Sequence, residues 1–236
     1  MQRAADIIGV SSLPEMIQPD GLPPRLHALA FGVVHANAGA AAASCVSHAA
    51  WAALRGEASA GVTAPLNKQG LAAAGLSWPG HTEMLQSMAA THQGRHVPVR
   101  MMLANEELKV VLATIHVSLR AAIEALTVPV VFETIAIAHH ALVTSGQSPR
   151  IAVAGLNPHA GEGGLFGDEE IHVIAPAIAQ ARAQGMDVHG PFAPDTVFMR
   201  ARRGEFDIVV AMTHDHGLIP VKYLGVEQGV NVTLGL

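Results

Sequence analysis

The sequence contains one cysteine, one tyrosine and few charged residues. Cys45 is the only thiol in 236 residues, which excludes an internal disulfide and a zinc site built from thiolates. Because Cys45 lies in an alanine-rich helical stretch, we expect it to be buried and inert. Half of the residues are apolar, so the chain can bury a substantial core.

The sequence also lacks a basic surface and a long apolar run. The net charge is −5 and the isoelectric point is about 6.2, which favours small molecules over nucleic acid as partners. No secretory signal is recognisable at the start. The most apolar zone, residues 28–54, is interrupted by His, Asn, Ser and Gly before it reaches the ~18 residues of a membrane span. We therefore expect a cytoplasmic protein without a membrane partner.

The local patterns alternate between strands and helices. Helices are predicted over 37–55, capped by Asn37, after Gly80, and over 129–146 and 168–185. Strands are predicted within 61–68, on both sides of a turn at 105–107, and over 150–156, 207–213 and 229–236. This alternation predicts a layered α/β protein with a largely parallel sheet. No repeat or low-complexity linker marks a domain boundary.

Histidine is abundant, with 14 residues against one tyrosine. His116, His159 and His214 each follow an apolar run that is predicted to be a strand. If these strands share a sheet, the three imidazoles converge at its carboxyl edge and form a site for a divalent metal such as zinc, cobalt or nickel. The alternative is that each is an ordinary surface or hydrogen-bonded core histidine, since their spacing is not a tight metal-binding motif.

Four other polar residues are candidates for substrate contacts. His81 and Thr82 begin a predicted helix whose amide groups can bind an anion, although an ordinary helix cap explains them equally well. Lys222 can pair with a phosphate or be a solvated surface group. Asn231 lies within an apolar strand, where its amide needs a hydrogen bond from a ligand or from the backbone.

A glycine-rich tract follows His159. Gly161, Gly163 and Gly167, with Asp187 further on, partly match the dinucleotide-binding fingerprint, but the spacing differs from Gly-x-Gly-x-x-Gly. Glycines that let the backbone pass close to a metal or substrate explain the tract as well.

Seven strings in order, VTAPLNK, GHTE, LNPHAGEGG, GDEE, GPFAPDTVF, HDHGLIPVKY and GVNVTLGL, resemble the 4-hydroxythreonine-4-phosphate dehydrogenase family (PdxA). The resemblance covers residues 30–236. It implies a layered α/β/α fold similar to isocitrate and isopropylmalate dehydrogenases, in one catalytic region of residues 1–236 with two subdomains. It also implies oxidation of a secondary alcohol with NAD or NADP and loss of carbon dioxide from the 3-oxo acid, in pyridoxal phosphate biosynthesis.

The resemblance also assigns residues. A divalent metal (zinc, cobalt, magnesium or manganese) is expected on His116, His159 and His214, with ligands from both subunits of a homodimer, so that the active site lies at the interface. A small phosphorylated substrate is expected on His81, Thr82, Lys222 and Asn231. The resemblance assigns no residue to the cofactor.

The sequence departs from the family at three places. The usual Gly-Asp-Pro motif near the start and the Ser-Val-Asp-His-Gly-Thr-Ala segment after TLGL are absent, so we expect either a fragment of a longer protein or a shortened protein whose redox activity is open. His216 stands where glutamine is common in the biosynthetic enzymes. One alternative is a catabolic paralogue that acts on a phosphosugar acid or a dihydrodiol, and the retained Lys222 favours the phosphorylated substrate. The others are a non-catalytic remnant that binds metal and ligand, and a three-histidine zinc hydrolase.

Overall fold

The structure is a computed structural model that describes residues 2–11, 16–78, 80–146 and 148–236. The chain divides into two compact units, Met1–His96 and Val97–Leu236. The family resemblance implies two subdomains of one catalytic region. That these two units act as one catalytic region stays a prediction.

The first unit is helical. Leu71, Met84 and Met88 form its small core with Ala43 and Val46. Gly39 and Gly70 let two of its helices touch, because a Cβ at Gly39 would lie 2.0 Å from the carbonyl oxygen of Gly70. The helices are α1 (Gln2–Ile8), α2 (Ala36–Leu54), α3 (Lys68–Ala73) and α4 (His81–Gln93).

Three expectations for this unit need correction. α2 is capped by His35, whose Nδ1 accepts a hydrogen bond from the amide of Asn37 at 3.2 Å, so Asn37 is inside the helix and is not its cap. Cys45 is exposed, because it lies on the outer side of α2. The segment 61–68 forms no strand: Val62 is 99% exposed, and no described strand runs beside the segment to supply hydrogen bonds.

The second unit contains a six-stranded sheet in the order β4-β3-β5-β2-β1-β6. β2, β5, β3 and β4 are parallel to one another, while β1 is antiparallel to both β2 and β6. The largely parallel sheet is therefore confirmed. The strands are β1 (Arg100–Ala104), β2 (Lys109–Leu112), β3 (Ile151–Ala154), β4 (Val188–Phe192), β5 (Ile208–Ala211) and β6 (Val230–Leu234).

Helices cover both faces of this sheet, as the layered α/β/α prediction requires. Alternate side chains of a strand point to opposite faces: Val153 and Val210 join the core beneath α6 and α7, whereas Ala152 and Val209 join the core beneath α8 and α9. Central strands are apolar throughout because both faces are buried. The helices of this unit are α5 (Leu119–Ala125), α6 (Val128–Thr144), α7 (Ala175–Ala183), α8 (Pro194–Arg202) and α9 (His214–Tyr223).

No single helix of the described chain has the length and apolar character needed to cross a membrane. α5 and α6, which meet at an angle of 90°, satisfy that test only as a pair, by length and composition.

Several elements of the second unit differ from expectation: α5 and β4 form where the sequence patterns predict no element, and two further helices depart from the predicted pattern. The predicted helix over 168–185 begins with a wider π-helical turn, Glu170–Ile174, and continues as α7. α9 is a helix that the sequence patterns did not predict, since Pro220 lies inside it and proline removes a helical hydrogen-bond donor.

A buried carboxylate organises the loop after β3. Glu170 is 3% exposed. Its Oε1 accepts hydrogen bonds from the amides of Leu156 and Asn157 at 2.7 and 2.8 Å, and its Oε2 accepts one from Asn157 Nδ2 at 2.9 Å. A Cβ at Gly155 or Gly161 would lie 2.8 Å from a Glu170 oxygen. These two glycines therefore let the loop close around the carboxylate.

An ion pair joins the starts of β3 and β5. Asp207 Oδ2 accepts hydrogen bonds from the backbone amide and Nε of Arg150 at 2.7 and 3.0 Å, and its Oδ1 accepts one from Nη2 at 2.9 Å. The side-chain hydrogen bonds from Arg150 lower the pKa of Asp207 below its usual value, because they favour the charged carboxylate.

We predict that Glu170→Gln lowers the free energy of unfolding by about 1–3 kcal/mol, the cost of leaving buried donors unpaired. In glutamine an NH2 group replaces one of the two carboxylate oxygens, so a donor would face the N–H groups that now donate to Glu170. Urea unfolding measures the change. Glu169→Gln is the matched control, because Glu169 accepts a hydrogen bond from the Asn157 side chain but is only half-buried. An equal loss in both variants would contradict a special role for Glu170.

We predict that Asp207→Asn lowers the free energy of unfolding by about 1 kcal/mol at neutral pH, as for a well-formed Arg–carboxylate pair near the surface. The pKa of Asp207 is lowered in the folded state. Its contribution to the free energy of unfolding is therefore fully present above the pKa of the unfolded state and disappears as the pH falls through the folded-state pKa. The wild type and the variant should therefore converge as the pH falls below about 4. Urea unfolding across pH checks this, with exposed Asp20→Asn as the control that should change by less than about 0.5 kcal/mol. A difference that persists in acid would refute the prediction.

Candidate functional site

The three strands that precede the candidate metal ligands are neighbours. β3, β5 and β2 are consecutive and parallel in the sheet, so their carboxyl ends share one edge. His159 follows β3, His214 follows β5 and His116 follows β2. The placement of all three at one edge of the sheet is therefore as expected.

His116 and His214 face each other at this edge. Their ring centroids are 5.7 Å apart, and both line a cavity of about 420 Å³. His214 begins α9, and its Nδ1 lies 2.7 Å from Asp215 Oδ1. A carboxylate on one ring nitrogen fixes the orientation of the imidazole and leaves the other nitrogen for a ligand.

His159 lines a second cavity, of about 640 Å³. Its ring centroid is 6.1 Å from that of Phe166. Asp215 and His216 line both cavities, so the two cavities adjoin along the first turn of α9. The structure therefore brings His116 and His214 into one cavity and His159 into its neighbour.

Two of the three histidines have strained backbones. His116 has φ 41° and His159 has φ 52°, in the left-handed region that costs a residue with a side chain about 1–3 kcal/mol. Such strain persists only where the surrounding structure enforces it, and it concentrates at functional sites. For His159 the enforcing structure is the loop closed on Glu170.

His116 and His214 are spaced as two ligands of one divalent metal would be. Two imidazoles on one tetrahedral zinc ion have ring centres roughly 5 Å apart when each zinc–nitrogen bond is about 2.1 Å. The 5.7 Å separation of His116 and His214 fits such a pair. Within the described residues, no three His, Cys, Asp or Glu side chains are grouped closely enough to hold a metal ion, so the ligand set that includes His159 stays a prediction.

His81 and Thr82 are the first residues of α4 in the first unit, directly after the N-cap residue Gly80. The helix start predicted after Gly80 is confirmed. His81 Nε2 is buried and has no hydrogen-bond partner among the described residues. A buried polar atom without a hydrogen-bond partner lowers the stability of the fold. A ligand that pairs with this nitrogen would remove that cost.

Lys222 and Asn231 are exposed and line neither histidine cavity. Lys222 lies in the last turn of α9. Asn231 is on β6, at the edge of the sheet, where it pairs with Leu103. The expectation that Asn231 is a buried amide in need of a partner is wrong, because an edge strand leaves one side to solvent.

Sequence patterns missed Glu170 and Asp215, and they marked His216 only as a departure from the family. The string HDH could have indicated Asp215, because it directly follows a candidate ligand. Nothing local distinguishes Glu170 from the adjacent Glu169. The glycine tract that resembled a nucleotide-binding loop is explained in part by Gly161, which makes room for the Glu170 carboxylate.

Comparisons with known proteins agree with this architecture. Residues 8–236 match the model of the family described as pyridoxal phosphate biosynthetic protein PdxA. A 4-hydroxythreonine-4-phosphate dehydrogenase from Beijerinckia indica is 55% identical over 208 residues, 88% of this chain and 60% of that protein. The D-threonate 4-phosphate dehydrogenase of Salmonella typhimurium is 50% identical over 210 residues, 89% of this chain and 63% of that protein.

A crystal structure of 4-hydroxythreonine-4-phosphate dehydrogenase from Klebsiella pneumoniae matches with a TM-score of 0.82 at 48% identity, over 89% of this chain and 62% of that one. The chain thus spans 60–63% of the length of the two curated relatives. Because the family match extends over nearly all of its residues, the chain belongs to the PdxA family.

Proposed function

We propose that the protein is a metal-dependent NAD(P) dehydrogenase that oxidises the secondary alcohol of a phosphorylated hydroxy acid. The leading substrate is 4-hydroxythreonine 4-phosphate, in pyridoxal phosphate biosynthesis, and the 3-oxo acid that forms loses carbon dioxide. The observation that carries the proposal is the pair His116 and His214, which face one cavity at the carboxyl edge of parallel strands.

The names of the relatives support this reaction class. Both curated relatives are dehydrogenases of a four-carbon acid that carries a 4-phosphate. The name of the second relative favours a second candidate, a catabolic enzyme acting on D-threonate 4-phosphate. The two acids differ at C2, which carries an ammonium group in the first and a hydroxyl in the second. A dihydrodiol, the other catabolic possibility, has no phosphate for Lys222.

Each residue has a role in this proposal. His116 and His214, with His159 from the adjoining cavity, would hold the metal, and Asp215 keeps the His214 ring oriented. When bound, a divalent metal such as zinc, cobalt, magnesium or manganese polarises the substrate hydroxyl and lowers its pKa. A bound nicotinamide cofactor would supply the hydride acceptor, and the residues of this chain would supply placement.

The remaining candidates would hold the substrate. Lys222 would bind the phosphate as a point charge. His81, whose Nε2 is buried without a described partner, would bind a substrate oxygen, and Thr82 and Asn231 would orient the acid. We also propose a homodimer in which each active site takes residues from both subunits. We place the enzyme in the cytoplasm, where its soluble cofactor and phosphorylated substrate are available.

The test of this function is turnover by the purified protein. With zinc, cobalt, magnesium or manganese and either NAD or NADP, we expect 4-hydroxythreonine 4-phosphate or D-threonate 4-phosphate to produce reduced nicotinamide, and a chelator to abolish it. Absorbance of the reduced cofactor measures the rate. Metal binding without any oxidation would favour the non-catalytic remnant, and ester hydrolysis without nucleotide would favour a zinc hydrolase; either result would refute the dehydrogenase.

Metal binding itself is tested separately from turnover. We predict that His116→Ala and His214→Ala each weaken cobalt or zinc binding by at least about 10-fold, since loss of even an outer-shell partner costs that much. Calorimetric titration and the visible spectrum of bound cobalt measure the effect. The control is His140→Ala, because His140 is exposed on α6. Unchanged affinity in the first two variants would remove them from the ligand set.

A further inference from the structure

His216 occupies a central position that the proposed function leaves unused. It lies in the first turn of α9 and, among the described residues, it and Asp215 line both histidine cavities. Asp215 already contacts His214 through Oδ1. His216 is therefore the uncommitted side chain at the junction of the two cavities.

The two ring nitrogens of His216 have different surroundings. Nδ1 is buried and has no hydrogen-bond partner among the described residues. Nε2 also makes no hydrogen bond within the described residues, but unlike Nδ1 it is not buried. Nε2 is therefore the ring nitrogen that a molecule in the cavities can reach.

These surroundings select one tautomer. A neutral imidazole carries its proton on one nitrogen and a lone pair on the other. A buried N–H without an acceptor is rarer than an acceptor with an idle lone pair, so the lone pair belongs on Nδ1. The proton is then on Nε2, and His216 presents a hydrogen-bond donor to the cavities.

We propose that His216 selects the group next to the reacting carbon of the substrate and favours a hydroxyl over an ammonium. This inference rests on the proposed function, which puts the reacting hydroxyl beside His116 and His214. A hydroxyl oxygen at C2 accepts a hydrogen bond from Nε2–H, whereas an ammonium has only donors. The preferred substrate is then D-threonate 4-phosphate, and 4-hydroxythreonine 4-phosphate is the poorer one.

The preference should be measurable as a ratio. A donor that the bound substrate covers without offering an acceptor costs enough to change affinity by about 10- to 100-fold, so wild-type protein should bind D-threonate 4-phosphate more tightly by that factor. In His216→Gln the amide offers both a donor and an acceptor, so the ratio should approach one. Calorimetric titration of both acids into metal-loaded protein gives the two dissociation constants without requiring turnover.

Two controls separate this role from a structural one. His140→Gln makes the same chemical change on the exposed surface of α6 and should leave the ratio unchanged. Nitrogen NMR of the wild-type histidines reports the tautomer directly, and His216 is assigned by comparison with His216→Gln. A proton on Nδ1 in the free protein would contradict the donor assignment, even if the variant folded poorly.

The outcomes distinguish this inference from the proposed function. A binding ratio that favours D-threonate 4-phosphate and collapses in His216→Gln supports the role of His216, even if no reduced cofactor forms and the dehydrogenase is refuted. Oxidation with a ratio that favours 4-hydroxythreonine 4-phosphate, or that His216→Gln does not move, overturns the role of His216 and leaves the dehydrogenase standing. Failure of wild-type protein to bind either acid overturns both.

Discussion

The burial of one carboxylate governs the site. Glu170 lies beneath the loop that follows β3, where it binds two consecutive amides and the side chain of Asn157. A buried carboxylate is tolerated only when its oxygens are hydrogen-bonded, so the loop must fold around it. That folding requires the close approach at Gly161 and holds His159 in a left-handed conformation. The packing of a structural acid thus fixes the position of a candidate ligand.

The order of the strands supplies the other constraint. Because β3, β5 and β2 are adjacent and parallel, three loops from distant parts of the chain leave the sheet at one edge. His116 and His214 meet there, while His159 enters the neighbouring cavity. Ligand sites of open α/β sheets form at this edge because the loops there can vary without disturbing the sheet.

The chemistry of the site divides between fixed and free imidazoles. His214 is oriented by Asp215, which suits a metal ligand whose geometry must not vary. His216, two residues further along the same turn, has no such partner for its Nδ1 among the described residues. A site that distinguishes closely related polar substrates depends on free groups such as the His216 imidazole, since a donor or acceptor left unpaired by the wrong substrate weakens its binding. Under the two proposals, a single helical turn would serve both binding of a metal and selection of a substrate.

The sequence by itself determined every strand of the sheet except β4, the long helices, the family and the edge at which the histidines gather, because apolar runs and the residues that end them act locally. Only the tertiary structure decided that 61–68 has no partner strand within the described part of the chain, that Cys45 and Asn231 are exposed, and that Glu170 is buried while Glu169 is not. It also decided which two histidines meet. Burial and pairing depend on residues far away in the chain, and no local pattern encodes those neighbours.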